Sequence, residues 1–136
     1  MKNGEKKILI VEDDEAMRAL LKDILDEEGF GAEAVSNGSD ALQKLFDQPF
    51  DVIITDIQMP GLTGLDILPG IRKLQPKAPV IVITAFGSEE VRRRSFEKGA
   101  TDYLEKPIRI HKLRALIHEM ISSKEKIISG QTSSEF

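Results

Sequence analysis

The sequence predicts an α/β fold in which five parallel strands alternate with five helices. Short apolar runs of strand length recur along the chain, and segments with the helical spacing of apolar residues separate them. The runs at 8–11, 52–55 and 80–83 are almost continuously apolar. Strands that alternate with helices form a parallel sheet, and continuous apolar runs are typical of strands that are buried on both faces. The prediction is therefore a doubly wound (βα)5 sheet in a single domain.

The first half of the chain contains two strand–helix units before the second strong strand. Strand Ile8–Val11 precedes a helix that begins near Asp14 and stops at Gly29, with the apolar stripe Met17, Leu20, Leu21, Ile24 and Leu25. Gly31–Val35 is a weaker strand, placed at a sheet edge because Glu33 lies inside it. A short helix from about Ser39 to Phe46 follows, and its apolar residues Ala41, Leu42, Leu45 and Phe46 are expected to face inward.

The second half repeats the pattern three times. Strand Asp51–Thr55 is followed by helical spacing over Leu65–Leu74, where Pro69 predicts a kink or a late helix start. Strand Val80–Ile83 precedes a helix with Ser88 as its N-cap and Gly99 at its end. A short strand around Asp102–Leu104 leads to a last helix with the apolar stripe Ile110, Leu113, Ile117, Met120 and Ile121.

The boundary of the domain is expected near residue 123. Residues 122–128 can extend the last helix by a turn, whereas 130–136 have no periodicity. We therefore predict a domain over 1–123 and a flexible tail, or the start of a linker to an output domain, over 124–136.

Composition limits the classes of function. The chain has 136 residues, a net charge of -4 and no cysteine. The acidic balance argues against nucleic-acid binding by this segment, and no apolar run approaches the ~20 residues that span a membrane. The absence of cysteine excludes disulfides, thiol catalysis and cysteine-ligated zinc. A soluble cytoplasmic protein is the expectation.

Four strand ends carry the polar residues that indicate a function. With the flavodoxin-like strand order 2-1-3-4-5, adopted partly by analogy, the carboxyl ends of all strands share one edge, where ligands bind. The residues that follow these ends are Glu12, Asp13, Asp56, Thr84 and Lys106. An acidic cluster, a central carboxylate, a hydroxyl and an ammonium would therefore meet in a site suited to accepting a phosphoryl group.

The acidic members of this set indicate a metal site. Neighbouring carboxylates repel one another unless a cation balances them, and Mg2+ (or Mn2+) takes oxygen ligands from one or two carboxylates and a phosphate. We assign Asp13 and Asp56 as direct ligands and Glu12 as a ligand through water, while Asp14 caps the first helix. An acidic helix start without a metal explains the same run equally well.

Asp56 is the candidate nucleophile, because a carboxylate can attack phosphorus to form an acyl phosphate. Thr84 could donate its hydroxyl to one phosphoryl oxygen and Lys106 could neutralise another, which suffices for a reaction governed by positioning and electrostatics. Taken singly, each residue also fits a structural role: a turn aspartate, a strand-end threonine and an exposed lysine. The combination is what favours phosphoryl transfer.

The combination resembles the receiver domain of two-component response regulators, over residues 7 to about 121. The matching stretches are Ile8-Leu9-Ile10-Val11-Glu12-Asp13-Asp14, Asp56-Ile57-Gln58-Met59-Pro60-Gly61, Thr84-Ala85 and Lys106-Pro107. The resemblance implies that Asp56 is the phosphoacceptor, that a sensor histidine kinase supplies the phosphoryl group, and that the backbone carbonyl of Gln58 ligates the metal. It also implies that Tyr103 is a switch residue.

On this interpretation the chain is a signalling phosphoacceptor that catalyses its own phosphorylation and slow dephosphorylation. Our hypothesis is that Thr84 moves toward the phosphoryl oxygens and that Tyr103 rotates into the vacated space. The signal would pass through the face formed by the fourth helix, the fifth strand and the fifth helix to a fused or separate output domain or to a second copy. Gln58 and Phe86 are expected to flank the path of the attacking water, where the glutamine amide could orient the water and the phenylalanine could block it, and so to set the rate of phosphate loss.

Three other functions remain as alternatives. A magnesium phosphatase would need a general acid shortly after the nucleophile, where Gln58 stands. A flavodoxin-type cofactor binder would need a phosphate loop after the first strand, where Glu12, Asp13 and Asp14 would repel a phosphate. A scaffold that works without phosphorylation would not need every position of the site to be filled.

Overall fold

A computed structural model of the chain describes residues 5–58 and 64–129. The chain divides into two compact units, Met1–Lys106 and Pro107–Phe136. The first unit carries β1 (Lys7–Val11), α1 (Glu15–Glu27), β2 (Gly31–Val35), α2 (Gly38–Asp47), β3 (Val52–Asp56), α3 (Gly64–Leu74), β4 (Val80–Thr84), α4 (Glu89–Glu97) and β5 (Asp102–Glu105). The second carries α5 (Ile110–Ser129).

The five strands form one parallel sheet in the order β2-β1-β3-β4-β5. The predicted fold class and strand order are therefore confirmed, and β1 lies next to β3 at the centre while β2 lies at an edge. Polar Glu33 in β2 is tolerated there because its carboxylate pairs with Lys44 of α2 at 2.7 Å.

The core fills the sheet face that α2 and α3 cover. Alternate residues of the central strands, among them Leu9, Ile53 and Val82, pack there with Leu45 and Leu68 of the two helices. The neighbouring positions in the same strands are equally buried on the opposite face, as Ile10, Ile54 and Ile83 show. Burial on both faces explains why these three strands are almost continuously apolar.

The helix boundaries follow from local capping. Asp14 accepts a hydrogen bond from the backbone N–H of Met17 at 2.8 Å, and Ser88 accepts one from Val91 at 3.1 Å. The glycines predicted to end α1 and α4 have positive φ angles, 90° at Gly29 and 116° at Gly99. Glycine adopts this conformation without the strain that a Cβ brings, so the predicted starts and stops of these two helices are confirmed.

Three sequence expectations about apolar residues were wrong. Phe46 is 73% exposed and Leu20 is 46% exposed, although both were expected to face the core. Each lies one residue from the buried stripe of its helix, which is about 100° around the helix axis. Ile110, at the start of the predicted α5 stripe, is also exposed.

Pro69 lies inside α3, which begins at Gly64, so the late helix start that Pro69 allowed was wrong. Because Pro69 is only the sixth residue of the helix, its missing N–H removes a single intrahelical hydrogen bond, the one to Leu65. The helix therefore continues through the proline.

The α5 helix has its buried positions on one stripe, formed by Leu113, Ile117, Met120 and Ile121. It continues to Ser129, so the extension over 122–128 that the sequence allowed is present. Residues 130–136, which the sequence assigned to a tail or linker, lie outside the described residues. Among the helices that are described, none has the length and apolar content needed to cross a membrane.

Candidate functional site

The predicted site residues meet at the carboxyl edge of the sheet. Asp56 ends β3 and pairs with Ile83, so Thr84 lies one position further along the adjacent strand β4. The ladder continues past β5, because the backbone N–H of Lys106 donates to the carbonyl of Thr84 at 2.8 Å. Glu12 follows β1 and donates its backbone N–H to the carbonyl of Val35 at 3.0 Å. Sheet register thus brings together residues that are far apart in sequence.

Three carboxylates form an acidic group at this edge. One oxygen each of Glu12, Asp13 and Asp56 lies within 4.8 Å of the others. Glu12 is fully buried and Asp56 is 3% exposed, whereas Asp13 is exposed. Carboxylate oxygens with one exposed member suit a hard divalent cation that keeps some of its waters. The donor set therefore fits Mg2+.

Lys106 supplies the positive charge inside this group. Its Nζ lies 2.7 Å from Oδ2 of Asp56 and 3.0 Å from Oε1 of Glu12. Burial disfavours the ammonium, but the hydrogen bonds to Asp56 and Glu12 outweigh burial, and the pKa of Lys106 is raised above its ordinary value. The lysine is therefore charged at neutral pH and bridges both buried carboxylates.

The remaining carboxylate oxygens are held by backbone N–H groups of the following turns. Oδ1 of Asp56 accepts from the N–H of Gln58 at 2.7 Å, and Oε2 of Glu12 accepts from the N–H of Asp14 at 3.0 Å. Both oxygens of each buried carboxylate thus have a donor. Fixed donors of this kind orient a carboxylate before any ligand arrives.

Glu12 is the carboxylate of the group whose burial disfavours its ionised form. Its pKa is raised above the ordinary value, first by burial and also by the nearby charge of Asp56. The hydrogen bonds from Asp14 and Lys106 act in the opposite direction and do not fully compensate. A divalent cation would favour the ionised form of Glu12 and relieve this cost.

Thr84 is completely buried at the end of β4. Its Oγ1 accepts a hydrogen bond from the backbone N–H of Phe86 at 3.1 Å, which ties the start of the β4–α4 loop to the strand. The Phe86 side chain itself is 74% exposed. A threonine hydroxyl that accepts from the loop still has its own proton to donate.

Tyr103 lies in β5, and its ring is half-buried. The hydroxyl is buried and makes no hydrogen bond of good geometry with the residues that the structure describes. The pKa of Tyr103 is raised, first by burial and then by the negative charge of Glu105. The aromatic residue predicted from the sequence thus lies against the β4–α4 loop and Glu105.

Sequence reasoning did not single out Arg18. Its guanidinium donates to the backbone carbonyl of Glu12 at 2.9 Å and lies 3.4 Å from that of Asp13. The available signal was an arginine one helical turn after the capping Asp14. Arg18 fastens the acidic turn to α1.

Proteins with similar sequences align with most of this chain. The transcriptional regulatory protein CpxR of Klebsiella pneumoniae is 41% identical over 115 residues, which cover 85% of this chain and 49% of the relative. The chain therefore spans about half the length of the curated relatives it matches.

Solved structures share the fold. A CheY-like response regulator receiver domain protein from Methanospirillum hungatei superimposes with a TM-score of 0.87 at 32% identity, covering 90% of this chain and 98% of that protein. The beryllofluoride-activated NtrC4 receiver domain dimer superimposes with a TM-score of 0.81 at 31% identity, covering 85% and 96%.

The family profile described as "Response regulator receiver domain" matches residues 8–118. This span contains the whole sheet except Lys7 and every residue of the acidic group. On this match, together with the sequence relatives, the chain belongs to the response regulator receiver domains of two-component systems.

Proposed function

We propose that this receiver domain accepts a phosphoryl group on Asp56 from a partner histidine kinase in a Mg2+-dependent reaction. The observation that carries the proposal is the bridge from Lys106 to Asp56 beside two further carboxylates, Glu12 and Asp13. A buried carboxylate with a lysine on one oxygen and two further carboxylates that could hold a cation nearby has what a phosphoacceptor requires.

In the proposed reaction an oxygen of Asp56 attacks the phosphorus. A P–O bond forms to the carboxylate while the P–N bond to the kinase histidine breaks, and the histidine keeps the electron pair. Asp13, Asp56 and the backbone carbonyl of Gln58 would hold Mg2+ directly, and Glu12 would hold it through water. The cation would neutralise charge on the phosphoryl oxygens.

Lys106 and Thr84 would complete the set of charge-stabilising groups. Lys106 already contacts Asp56, so it needs only a small displacement to reach an oxygen of an attached phosphoryl group. Thr84 would donate its free proton to another oxygen. Phosphoryl transfer depends chiefly on such positioning and charge stabilisation, and these residues need no further acid–base group.

The signal would leave through the β4–α4 loop and Tyr103. Movement of Thr84 toward the phosphoryl oxygens would pull on Phe86, whose backbone N–H is bonded to the threonine hydroxyl. Moving an equilibrium from 1:99 to 99:1 requires ~5.5 kcal/mol, which a few charge-assisted hydrogen bonds can provide.

The partners of the domain follow from the same proposal. A sensor histidine kinase would supply the phosphoryl group, and the signalling surface expected from the sequence would act on a fused or separate output domain or on a second copy of the chain. The receiver would comprise residues 1–123, and 124–136, whose first residues continue α5 to Ser129, would be a flexible tail or the start of a linker to an output domain. The activated NtrC4 receiver is a dimer, which supports testing for self-association.

The proposal is tested by incubating the protein with Mg2+ and acetyl phosphate and measuring its mass. We expect one phosphoryl adduct on the wild-type protein and on Asp23→Asn, a control in which an exposed aspartate of α1 is changed. Asp56→Asn should form none. An adduct that survives Asp56→Asn, or a wild-type protein that never forms one, would contradict the proposal.

A further inference from the structure

The hydroxyl of Tyr103 lies close to the backbone N–H of Ser88 and to the carboxylate of Glu105, which both act on its pKa. It is buried and lacks a partner of good geometry among the described residues. Buried tyrosine hydroxyls usually find such a partner. The space that the β4–α4 loop leaves for the hydroxyl therefore contributes to where this ring lies.

Gly87 of the β4–α4 loop provides the space for that hydroxyl. A Cβ placed on Gly87 would meet Oη of Tyr103 and Oε2 of Glu105 closer than any non-bonded contact allows, and it would lie 2.9 Å from Cδ of Glu105. Glu105 is exposed and can turn its carboxylate away, but the tyrosine ring is rigid and must rotate as a whole. Any side chain at position 87 is therefore incompatible with this position of Tyr103.

The backbone does not explain a glycine at this position. Among the described residues the glycines with positive φ are Gly29 and Gly99, and Gly87 does not share their conformation. An alanine at position 87 would suit the backbone. The role of Gly87 is thus to leave room for Tyr103.

The same loop is fastened to Thr84. Phe86, the residue before Gly87, donates its N–H to the Thr84 hydroxyl at 3.1 Å. A movement of Thr84 would therefore also move the backbone against which Tyr103 rests. Gly87 thus follows the residue that is hydrogen-bonded to Thr84 and lies next to the hydroxyl of Tyr103.

We propose that Gly87 is a positioning residue for Tyr103. Glycine is the one residue type at position 87 that leaves space beside the β4–α4 loop for the hydroxyl, and it thereby allows the ring position of the unphosphorylated protein. The steric part of this inference stands by itself, and its consequence for signalling rests on the proposed function. In Gly87→Ala the ring is displaced. Thr84 keeps its hydrogen bond to the loop, so the inner space stays filled and the ring turns toward solvent.

Tyr103 reports on its own position, because the chain has one tyrosine and no tryptophan. We expect acrylamide to quench tyrosine fluorescence more strongly in unphosphorylated Gly87→Ala than in the wild type. Gly31→Ala is the matched control, since its Cβ would meet the flexible carboxylate of Glu5 on the edge strand. Wild-type quenching in a folded Gly87→Ala would overturn the inference.

A double-mutant cycle of Gly87→Ala and Tyr103→Phe, measured by Tm, provides a second test that does not need fluorescence. Tyr103→Phe removes Oη, the nearest atom that the new Cβ would meet. Gly87→Ala should therefore lower the Tm of the wild type more than it lowers the Tm of Tyr103→Phe. Equal losses of Tm in the two backgrounds would contradict the contact, even if the single variant were only marginally folded.

A titration with beryllofluoride and Mg2+ separates this inference from the proposed function. Because Gly87→Ala removes the resting position of Tyr103, we expect its fluorescence response to reach half-maximum at a lower beryllofluoride concentration than in the wild type. An equal or higher concentration would overturn the signalling role of Gly87. A fluorescence response in Asp56→Asn equal to that of the wild type would instead contradict the proposed function. The quenching and Tm measurements would then still test the steric contact.

Discussion

The Nζ atom of Lys106 lies 2.7 Å from Oδ2 of Asp56, although the two residues are 50 positions apart in sequence. Asp56 ends β3 and Lys106 follows β5, and β4 separates these two strands in the sheet. The lysine side chain therefore reaches across the end of one strand to neutralise a carboxylate on the next. It contacts Glu12 as well, so one cation is shared by two buried carboxylates.

Removal of this cation should destabilise the protein in the absence of metal. Lys106→Ala leaves two nearby carboxylates buried without a counter-charge, and breaking such a pair costs about 3 kcal/mol. We expect this loss in urea unfolding without Mg2+ and a larger recovery on adding Mg2+ than in the wild type. Lys73→Ala, an exposed change in α3, is the control and should match the wild type.

Lys106→Ala should reduce the conformational response to phosphorylation more than it reduces the rate of phosphorylation. Acetyl phosphate should still modify Lys106→Ala, at a reduced rate, because Asp56 and the metal ligands remain. The change in Tyr103 fluorescence should largely disappear, since one contact with the phosphoryl oxygens is missing. An unchanged fluorescence response would refute the role of Lys106 in switching.

Metal affinity should depend more on Asp13 than on Glu12. Asp13 is exposed and available to a cation, whereas Glu12 is buried and already held by Lys106 and the backbone N–H of Asp14. By calorimetric titration with Mg2+, Asp13→Asn should lose affinity ~10-fold or more and Glu12→Gln should lose less. Asp14→Asn preserves a helix cap and should bind nearly as well as the wild type. The reverse order would contradict the assigned ligands.

Arg72 should be irreplaceable by lysine. Its guanidinium donates to the carbonyls of Gly99 at 3.0 Å, Pro76 at 2.9 Å and Ala78 at 2.6 Å, and a weaker contact reaches Gln75. A single ammonium cannot reach acceptors spread over two loops. We expect Arg72→Lys to lower the free energy of unfolding by about 2 kcal/mol, because partly buried carbonyls lose their hydrogen-bond donors.

The control for Arg72 is Arg93→Lys on the exposed surface of α4, where the arginine pairs within its own helix. This variant should unfold at the wild-type urea concentration. If Arg72→Lys were no less stable than Arg93→Lys, the hydrogen bonds of Arg72 to the two loops would not contribute to stability.

The two helix-ending glycines should differ in their tolerance of alanine. Both have positive φ, but a Cβ on Gly29 would meet nothing within 4 Å, whereas one on Gly99 would lie 2.6 Å from Cγ of Arg72. Gly29→Ala should cost about 1–2 kcal/mol from backbone strain. Gly99→Ala should cost more, because it also displaces Arg72. Equal unfolding free energies for the two variants would count against this contact.

Tyr103 should titrate at a higher pH in the folded protein than after unfolding. Burial and Glu105 raise its pKa above the ordinary 10.0. A raised pKa means that the folded state favours the neutral phenol, so this stabilisation is complete below about pH 10 and is lost as the pH rises through the folded pKa. Ultraviolet titration of the single tyrosine in native and urea-unfolded protein measures the shift. A native tyrosine that titrates first would contradict it.

The order of strands and helices could be predicted from the sequence because interactions between residues close in sequence determine it. Apolar runs of strand length, helical spacing, and the caps at Asp14, Ser88, Gly29 and Gly99 act within a few residues of one another. The alternation of strands and helices then restricts the sheet to few topologies. The carboxyl ends of parallel strands must share an edge, so the set Glu12, Asp13, Asp56, Thr84 and Lys106 could be gathered from sequence alone.

Only the tertiary structure decided which side chains contact one another. Helical spacing did not distinguish the buried Leu45 from the exposed Phe46, because both are apolar and only packing decides which of two positions about 100° apart faces the core. The bridge from Lys106 to two carboxylates, the bonds from Arg72 to two loops, and the space that Gly87 leaves for Tyr103 all join distant segments. Such contacts depend on where packing places each backbone to within an ångström, and sequence periodicity carries no information at that precision.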